Sequence, residues 1–241
     1  MMLKRAIEHM RQQHWTGVFI ELVIVILGVF IGLQASNWNE ARQENAHAQR
    51  VIRDLAADMA EIRKQGDYYV GLYGGDMQSL DRVVTFFDSD AAAPANRKQF
   101  EKDLVTIISV APPISRSPTM VELLSSGEIG LIKDESLRRS LIKLDQRIQT
   151  AAKINQGLSA GFRAYAIRLG DLIRVSVKLS DTTHTIIGVK SVKYDLAKMR
   201  ADPQLMPALH FLLVMDNAEL NYRRRIRDSA AKLLKRLAAM Q

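Results

Sequence analysis

The sequence predicts a mainly α protein, in which an N-terminal transmembrane helix continues into an extramembrane antiparallel helical bundle. Three observations carry this. The stretch from Gly17 to Leu33 reads GVFIELVIVILGVFIGL, apolar on every face but for one residue. Long runs after it repeat apolar residues at alternating steps of three and four. The 241 residues are rich in Ala, Leu, Arg and Ile, with aromatics at only 6% and six prolines, a mix that favours helix because unbranched side chains lose little rotamer freedom there.

The apolar stretch reads as a membrane span over 16–36, since about 20 apolar residues cross a bilayer's hydrocarbon core. Trp15 and Trp38, the two tryptophans of the chain, bracket it where indole rings favour the membrane–water interface. A basic tail and Ala35 also fit a cleaved signal peptide. Leu33, however, is large where cleavage needs a small residue. Glu21 is the ionisable residue inside the span and lies about a turn from its boundary, close enough for its carboxyl to snorkel toward headgroups. Gly28 and Gly32 form a G-x-x-x-G pair of the kind that lets membrane helices approach closely.

Beyond the span, Trp38, Ala41, Asn45, Ala48, Ile52, Leu55, Met59 and Ile62 form a heptad seam in register with the span, which predicts one helix leaving the bilayer as a stalk. Gly66, Gly71, Gly74 and Gly75 are expected to interrupt it, with a second helix following through Met77, Leu80, Val84 and Phe87. The predicted organisation is a tail over 1–15, the span over 16–36, the stalk over 37–66 and a helical domain over 67–241. Residues 97–110 predict a short helix stopped by Pro112 and Pro113. Thr119 and Glu122 read as a capping box for a helix closed by Gly127, and Asp134 as the N-cap of the next. That next helix keeps its pattern from Leu137 through Leu141, Leu144, Ile148, Asn155, Leu158, Phe162 and Tyr165 to Leu172. Residues 174–192 change to alternation and fit a β-hairpin or an irregular insertion. A last helix is expected from about Pro203 to Ala239.

The composition excludes some chemistry. Without cysteine, no disulfide, thiolate nucleophile or Cys-based zinc site exists. His9, His14, His47, His184 and His210 are scattered, no pair has metal-ligand spacing, and His210 reads as a packing histidine. The glycines of Gly71-Leu-Tyr-Gly74-Gly75-Asp76 lack the strand and Lys-Ser/Thr ending of a phosphate loop. Ser125-Ser126-Gly127 is no nucleophile elbow. Glu122, Glu128, Asp134 and Glu135 sit at short helix ends, where they offset helix dipoles. No catalytic, cofactor or metal residues are predicted, and the chain is not expected to be an enzyme. The net charge of +8 is concentrated in Lys4, Arg5 and Arg11 and in the last helix at Arg223, Arg224, Arg225, Arg227, Lys232, Lys235 and Arg236. A basic terminal helix reads as a solvated face or one near anionic lipid, and nucleic acid is not an expected partner.

Two blocks carry a resemblance. The span ends in Gln34-Ala-Ser-Asn37-Trp38-Asn39-Glu40, and Thr119-Met-Val-Glu-Leu-Leu-Ser-Ser-Gly127 is followed by Ile132-Lys-Asp134 and Leu137-Arg138. Together they resemble an uncharacterised family of bacterial single-pass membrane proteins, marked by Q-x-x-N-W-N-E and T-x-x-E-L-x-S-S-G. The resemblance implies a bacterial envelope protein with one span and a helical domain. The family has no assigned activity, so no functional residue carries over.

The expectation is therefore a scaffold or protein-interaction module of the bacterial inner membrane. Its N-terminus would be cytoplasmic and its main domain periplasmic, because cations are denser before the span than after it. Its partners would be the bilayer and another protein or further copies of itself. The alternatives are an extracytoplasmic ligand-sensing module that signals through a partner and, third, a membrane-tethered enzyme.

Overall fold

The computed structural model describes residues 15–107, 112–183 and 185–240; for residues 15–18, 158 and 160–168 it describes the backbone. The elements are α1 (Trp15–Asp88), α2 (Arg97–Thr106), α3 (Pro118–Ser126), a 3-10 turn (Glu128–Leu131), α4 (Glu135–Leu172), β1 (Ile173–Leu179), β2 (Ile186–Tyr194), α5 (Leu196–Ala201) and α6 (Leu205–Ala238). The protein is mainly helical, with one small antiparallel sheet. It divides into two compact units, one ending at Arg50 and the other spanning Val51–Gln241.

In the first unit, α1 is long and apolar enough to cross a membrane. Its large apolar side chains from Phe19 to Leu33 are more than half exposed, Val23 excepted. Trp38, Ala41 and Asn45, the first residues of the heptad seam, are exposed as well. From Ile52 the same seam turns inward. Leu55, Met59 and Ile62 pack with Leu137, Leu141, Leu144 and Ile148 of α4 and with Ile226, Ala230, Leu233 and Leu237 of α6. Fully burying each such leucine or isoleucine stabilises the fold by about 1.5–3 kcal/mol. α4 and α6 run antiparallel, because Arg236 Nη2 donates to Asp134 Oδ2 at 2.8 Å while Arg147 Nη1 donates to Ser229 Oγ at 2.8 Å. A second core joins Leu80, Val83, Val84 and Phe87 of α1 to Phe100, Leu104, Leu169, Ile173, Met199, Leu205 and Leu209.

The glycines do not break α1, which runs 74 residues without interruption. Packing on both sides, with Ile62 in one core and Leu80 in the other, overrides a local penalty of about 1 kcal/mol per glycine. Gly66 has a different reason to be there. A Cβ at Gly66 would stand 2.7 Å from the Arg227 Cβ and 3.2 Å from its Cα, so α1 and α6 cross too closely for any side chain. Gly71, Gly74 and Gly75 face open space. Gly71→Ala and Gly75→Ala should each stabilise the protein by up to about 1 kcal/mol. Gly66→Ala should give a net loss, because overpacking costs roughly 1–3 kcal/mol. Denaturant midpoints of the full chain in detergent check both signs; a helix-breaking role for Gly66 requires the opposite one.

Capping follows the sequence in part. Asp134 Oδ1 accepts from Leu137 N–H at 3.0 Å, and Gly127 closes α3 at φ +78°, a conformation that favours glycine. The Thr119–Glu122 box does not form. Ser117 is the N-cap, accepting from Met120 N–H at 3.0 Å with Pro118 at the first helical position, and Thr119 N–H donates to Asp58 instead. The loop before α3 is tied down at several points: Arg116 forks onto Asp145 at 2.8 and 2.9 Å, and Ser115 N–H donates to Gln65 at 3.1 Å. Among the earlier expectations, Lys4, Arg5, Arg11, His9, His14, His184 and the end of the 97–110 helix beyond residue 107 lie outside the described residues, as do the side chains of Leu158, Phe162 and Tyr165.

Candidate functional site

Three features stand out in the second unit: a buried charged cluster, a basic helix surface and a projecting apolar ribbon. The cluster lies where α1 and α6 pass between the two cores. Tyr69 and Tyr73 are one turn apart on α1, and Glu219 and Arg223 one turn apart on α6, so each pair shares a helix face. The Arg223 side chain is 2% exposed. Its guanidinium carbon lies 4.7 Å from the Tyr69 ring centre and 4.6 Å from that of Tyr73, within cation–π range of both. Nε donates to Glu219 Oε2 at 3.2 Å, Nη1 to the Pro112 carbonyl at 3.1 Å and Nη2 to the Tyr73 hydroxyl at 3.5 Å. Glu219 Oε1 is buried with no hydrogen-bond partner among the described residues. Burial pushes the Glu219 carboxyl up, against the pull of the Arg223 charge.

Two aspartates flank this cluster. Burial raises Asp76 from the usual aspartate value of 3.8 to about 6. Burial, with the charges of Asp76 and Glu219 added, raises Asp216 to about 7. A carboxyl whose pKa is higher folded than unfolded binds its proton more tightly in the native state. Its contribution to stability is therefore fully present below pH 3.8 and is lost as the pH rises through 6 to 7. Asp216→Asn is expected to raise stability at pH 8 and to flatten its decline between pH 5 and 8. Urea unfolding of the full chain across that range measures both, and an unchanged slope would sink the assignment.

The basic run of α6 separates by face. Arg223 is buried, Arg227 lies 3.7 Å from Asp67 and 2.8 Å from Asp228, and Arg236 is paired with Asp134. Arg224, Arg225, Lys232 and Lys235 are exposed. The expected solvated face thus holds for four of the seven cations and fails for Arg223, which the i, i+4 glutamate and the facing tyrosines draw inward.

The ribbon is the hairpin expected at 174–192, and its register is informative. Ile173, Val175, Val177 and Leu179 of β1 stand opposite Tyr194, Val192, Val189 and Ile186 of β2. The register shifts twice, between Ser176 and Val177 and between Lys178 and Leu179, so that Lys190 and Ile187 are left over as bulges. Without those shifts Lys190 would face Val177. With them, one face is apolar from end to end, and the other carries Arg174, Ser176, Lys178, Gly188, Ser191 and Lys193.

The sequence-derived site residues stay apart. Trp15 lies in α1 with its side chain outside the described ones. Trp38 is 68% exposed, with the Arg42 guanidinium 5.7 Å from its ring centre. Glu21 is exposed, and a Cβ at Gly28 or Gly32 would meet nothing within 4 Å. His210 is not a packing histidine. It is exposed, and its Nδ1 lies 3.0 Å from the Met206 carbonyl oxygen. Among the described residues no group of three His, Asp or Glu side chains is placed to hold a metal. Sequence reasoning missed the Arg223 cluster because Arg223-Arg224-Arg225 reads as one surface run. The usable signals were the Glu219–Arg223 and Tyr69–Tyr73 spacings. Compared with protein-family models, curated proteins and solved structures, the chain matches none of them.

Proposed function

We propose that this protein is a membrane-anchored helical interaction module of the bacterial envelope, held by a single pass of α1 through the inner membrane. The second unit lies on the extracytoplasmic side and presents surfaces to protein partners or to further copies of the chain. The observation that carries this is the run of apolar side chains from Phe19 to Leu33, more than half exposed on nearly every face of one helix. Such a surface is stable in hydrocarbon and unstable in water. Trp38 beside Arg42 at its far end fits an interfacial collar. The two sequence blocks that resemble single-pass envelope proteins agree with the same assignment. The exposed apolar residues of the ribbon support interaction as the task of the second unit.

The test has two parts. Membranes washed with alkaline carbonate should retain the protein, and a cysteine replacing exposed Ala91 should react with an impermeant maleimide from the periplasmic side. Cross-linking with mass spectrometry after mild solubilisation should then recover a stable partner or an oligomer. Recovery of a lone monomer without a stable partner argues against the interaction module.

A further inference from the structure

The ribbon is longer than the core it covers. Its proximal half, Ile173, Val175, Val192 and Tyr194, packs on the second core. Its distal half carries the same apolar face past the end of that core, leaving Val177 42%, Leu179 48%, Val189 46% and Ile186 65% exposed. Two bulges keep this distal face apolar, although among the described residues its side chains stay between two-fifths and two-thirds exposed. Bulges that re-aim side chains onto an uncovered face are features of a binding element, since a solvated ribbon would be more soluble without them.

A second uncovered apolar surface lies on the same unit. Met77, Gln78 and Asp81 of α1 and Leu213, Val214 and Asn217 of α6 line an open groove of about 600 Å³. Val214 on its wall is 61% exposed, and Phe211 beside it 53%. The groove combines the apolar Met77, Leu213 and Val214 with the amides of Gln78 and Asn217 and the negative Asp81. The ribbon is apolar on one face and positive on its margins, at Lys178, Lys190 and Lys193. One chain thus carries both an apolar arm and an open groove with matching chemistry and opposite charge.

We propose that the distal apolar face of the ribbon seats in the Met77–Leu213–Val214 groove of a second copy of the chain, so that two copies exchange arms. This rests on the interaction-module function proposed above and names its partner. A two-fold exchange covers both surfaces on both copies at once. It doubles the contact that one arm makes in one groove and leaves no arm free to build a filament. Copies anchored in one membrane also meet at a high effective concentration.

The chain has no cysteine, so introduced thiols report cleanly. Full-length Leu179→Cys and Val214→Cys variants, carrying different tags, are co-expressed and oxidised in membranes. The expected product is a disulfide-linked dimer between the two tags, absent when exposed Lys64→Cys replaces either partner. Because each variant has one thiol, the link cannot form within a chain. In detergent, Ile186→Asp with Val189→Asp should weaken dimerisation by on the order of 30-fold or more, read by sedimentation, with the helical circular dichroism unchanged. Homotypic Leu179–Leu179 linkage as the main product would overturn the arm exchange in favour of ribbon-on-ribbon packing. A monomer that stably binds a different protein would overturn the second-copy partner while leaving the interaction module standing. A monomer with no partner would overturn both.

Discussion

Arg223→Met should cost about 3–5 kcal/mol of stability, the largest loss expected from any single substitution in the second unit. The guanidinium is the centre of a buried group of Tyr69, Tyr73, Glu219 and the Pro112 carbonyl. Removing it leaves the Glu219 carboxylate without its ion pair and the Pro112 carbonyl without that donor, and it takes away the charge facing Tyr69 and Tyr73. Glu219 can relieve part of the loss by taking up a proton, because its carboxyl is already pushed up by burial. The defect should therefore be greater at pH 8 than at pH 5. The double variant Glu219→Leu with Arg223→Met should recover much of the loss, since apolar replacement of a whole buried pair is often neutral or better. Urea unfolding of the four members of this cycle, followed by far-ultraviolet circular dichroism in detergent, gives the coupling directly. A single-variant loss below about 1 kcal/mol would mean that the cluster is solvated and that Arg223 contributes no more than a surface pair.

The elements that the sequence predicted well are those whose signal is local and repeated. α4 begins at Glu135, capped by Asp134, and ends at Leu172 as its three-four pattern requires, and β1 and β2 fall where alternation replaces that pattern. The failures share one cause, which is contact between distant segments. Gly66 reads as a helix breaker because its neighbours in sequence do not reveal Arg227 packed against it. The N-cap of α3 moves from Thr119 to Ser117 because Asp58, some sixty residues earlier, takes the Thr119 N–H. Arg223 reads as surface charge because its run is basic, and the tyrosines that draw it inward lie 150 residues away. The ribbon's apolar face was invisible for a different reason. Strict alternation would place Lys190 on it, and only two bulges, set by pairing rather than by composition, keep Lys190 off it.

The other large effect concerns the membrane anchor proposed for α1. Leu27→Lys combined with Phe30→Lys places two ammonium groups near the middle of the apolar run. Each lysine at the centre of a span raises the cost of insertion by about 2.5–3.5 kcal/mol, and each apolar residue removed withdraws about 0.3–0.6 kcal/mol, so the pair shifts insertion by roughly 6–8 kcal/mol. That exceeds what snorkelling can recover, because in the proposed span lysines at these positions would be far from either headgroup layer. The double variant should lose carbonate-resistant association with membranes. Glu21→Leu should keep it, since the exposed carboxyl lies near one end of the run, where an ionised group costs little. The mass of the membrane-bound wild-type protein supplies the remaining constraint. An intact N-terminus identifies α1 as a permanent anchor, whereas loss of the first 35 residues would identify it as a cleaved signal. Retention of the double-lysine variant in carbonate-washed membranes would place the anchor elsewhere. The exposed apolar face of Phe19–Leu33 would then have to be covered by protein rather than by lipid, since water alone cannot stabilise it.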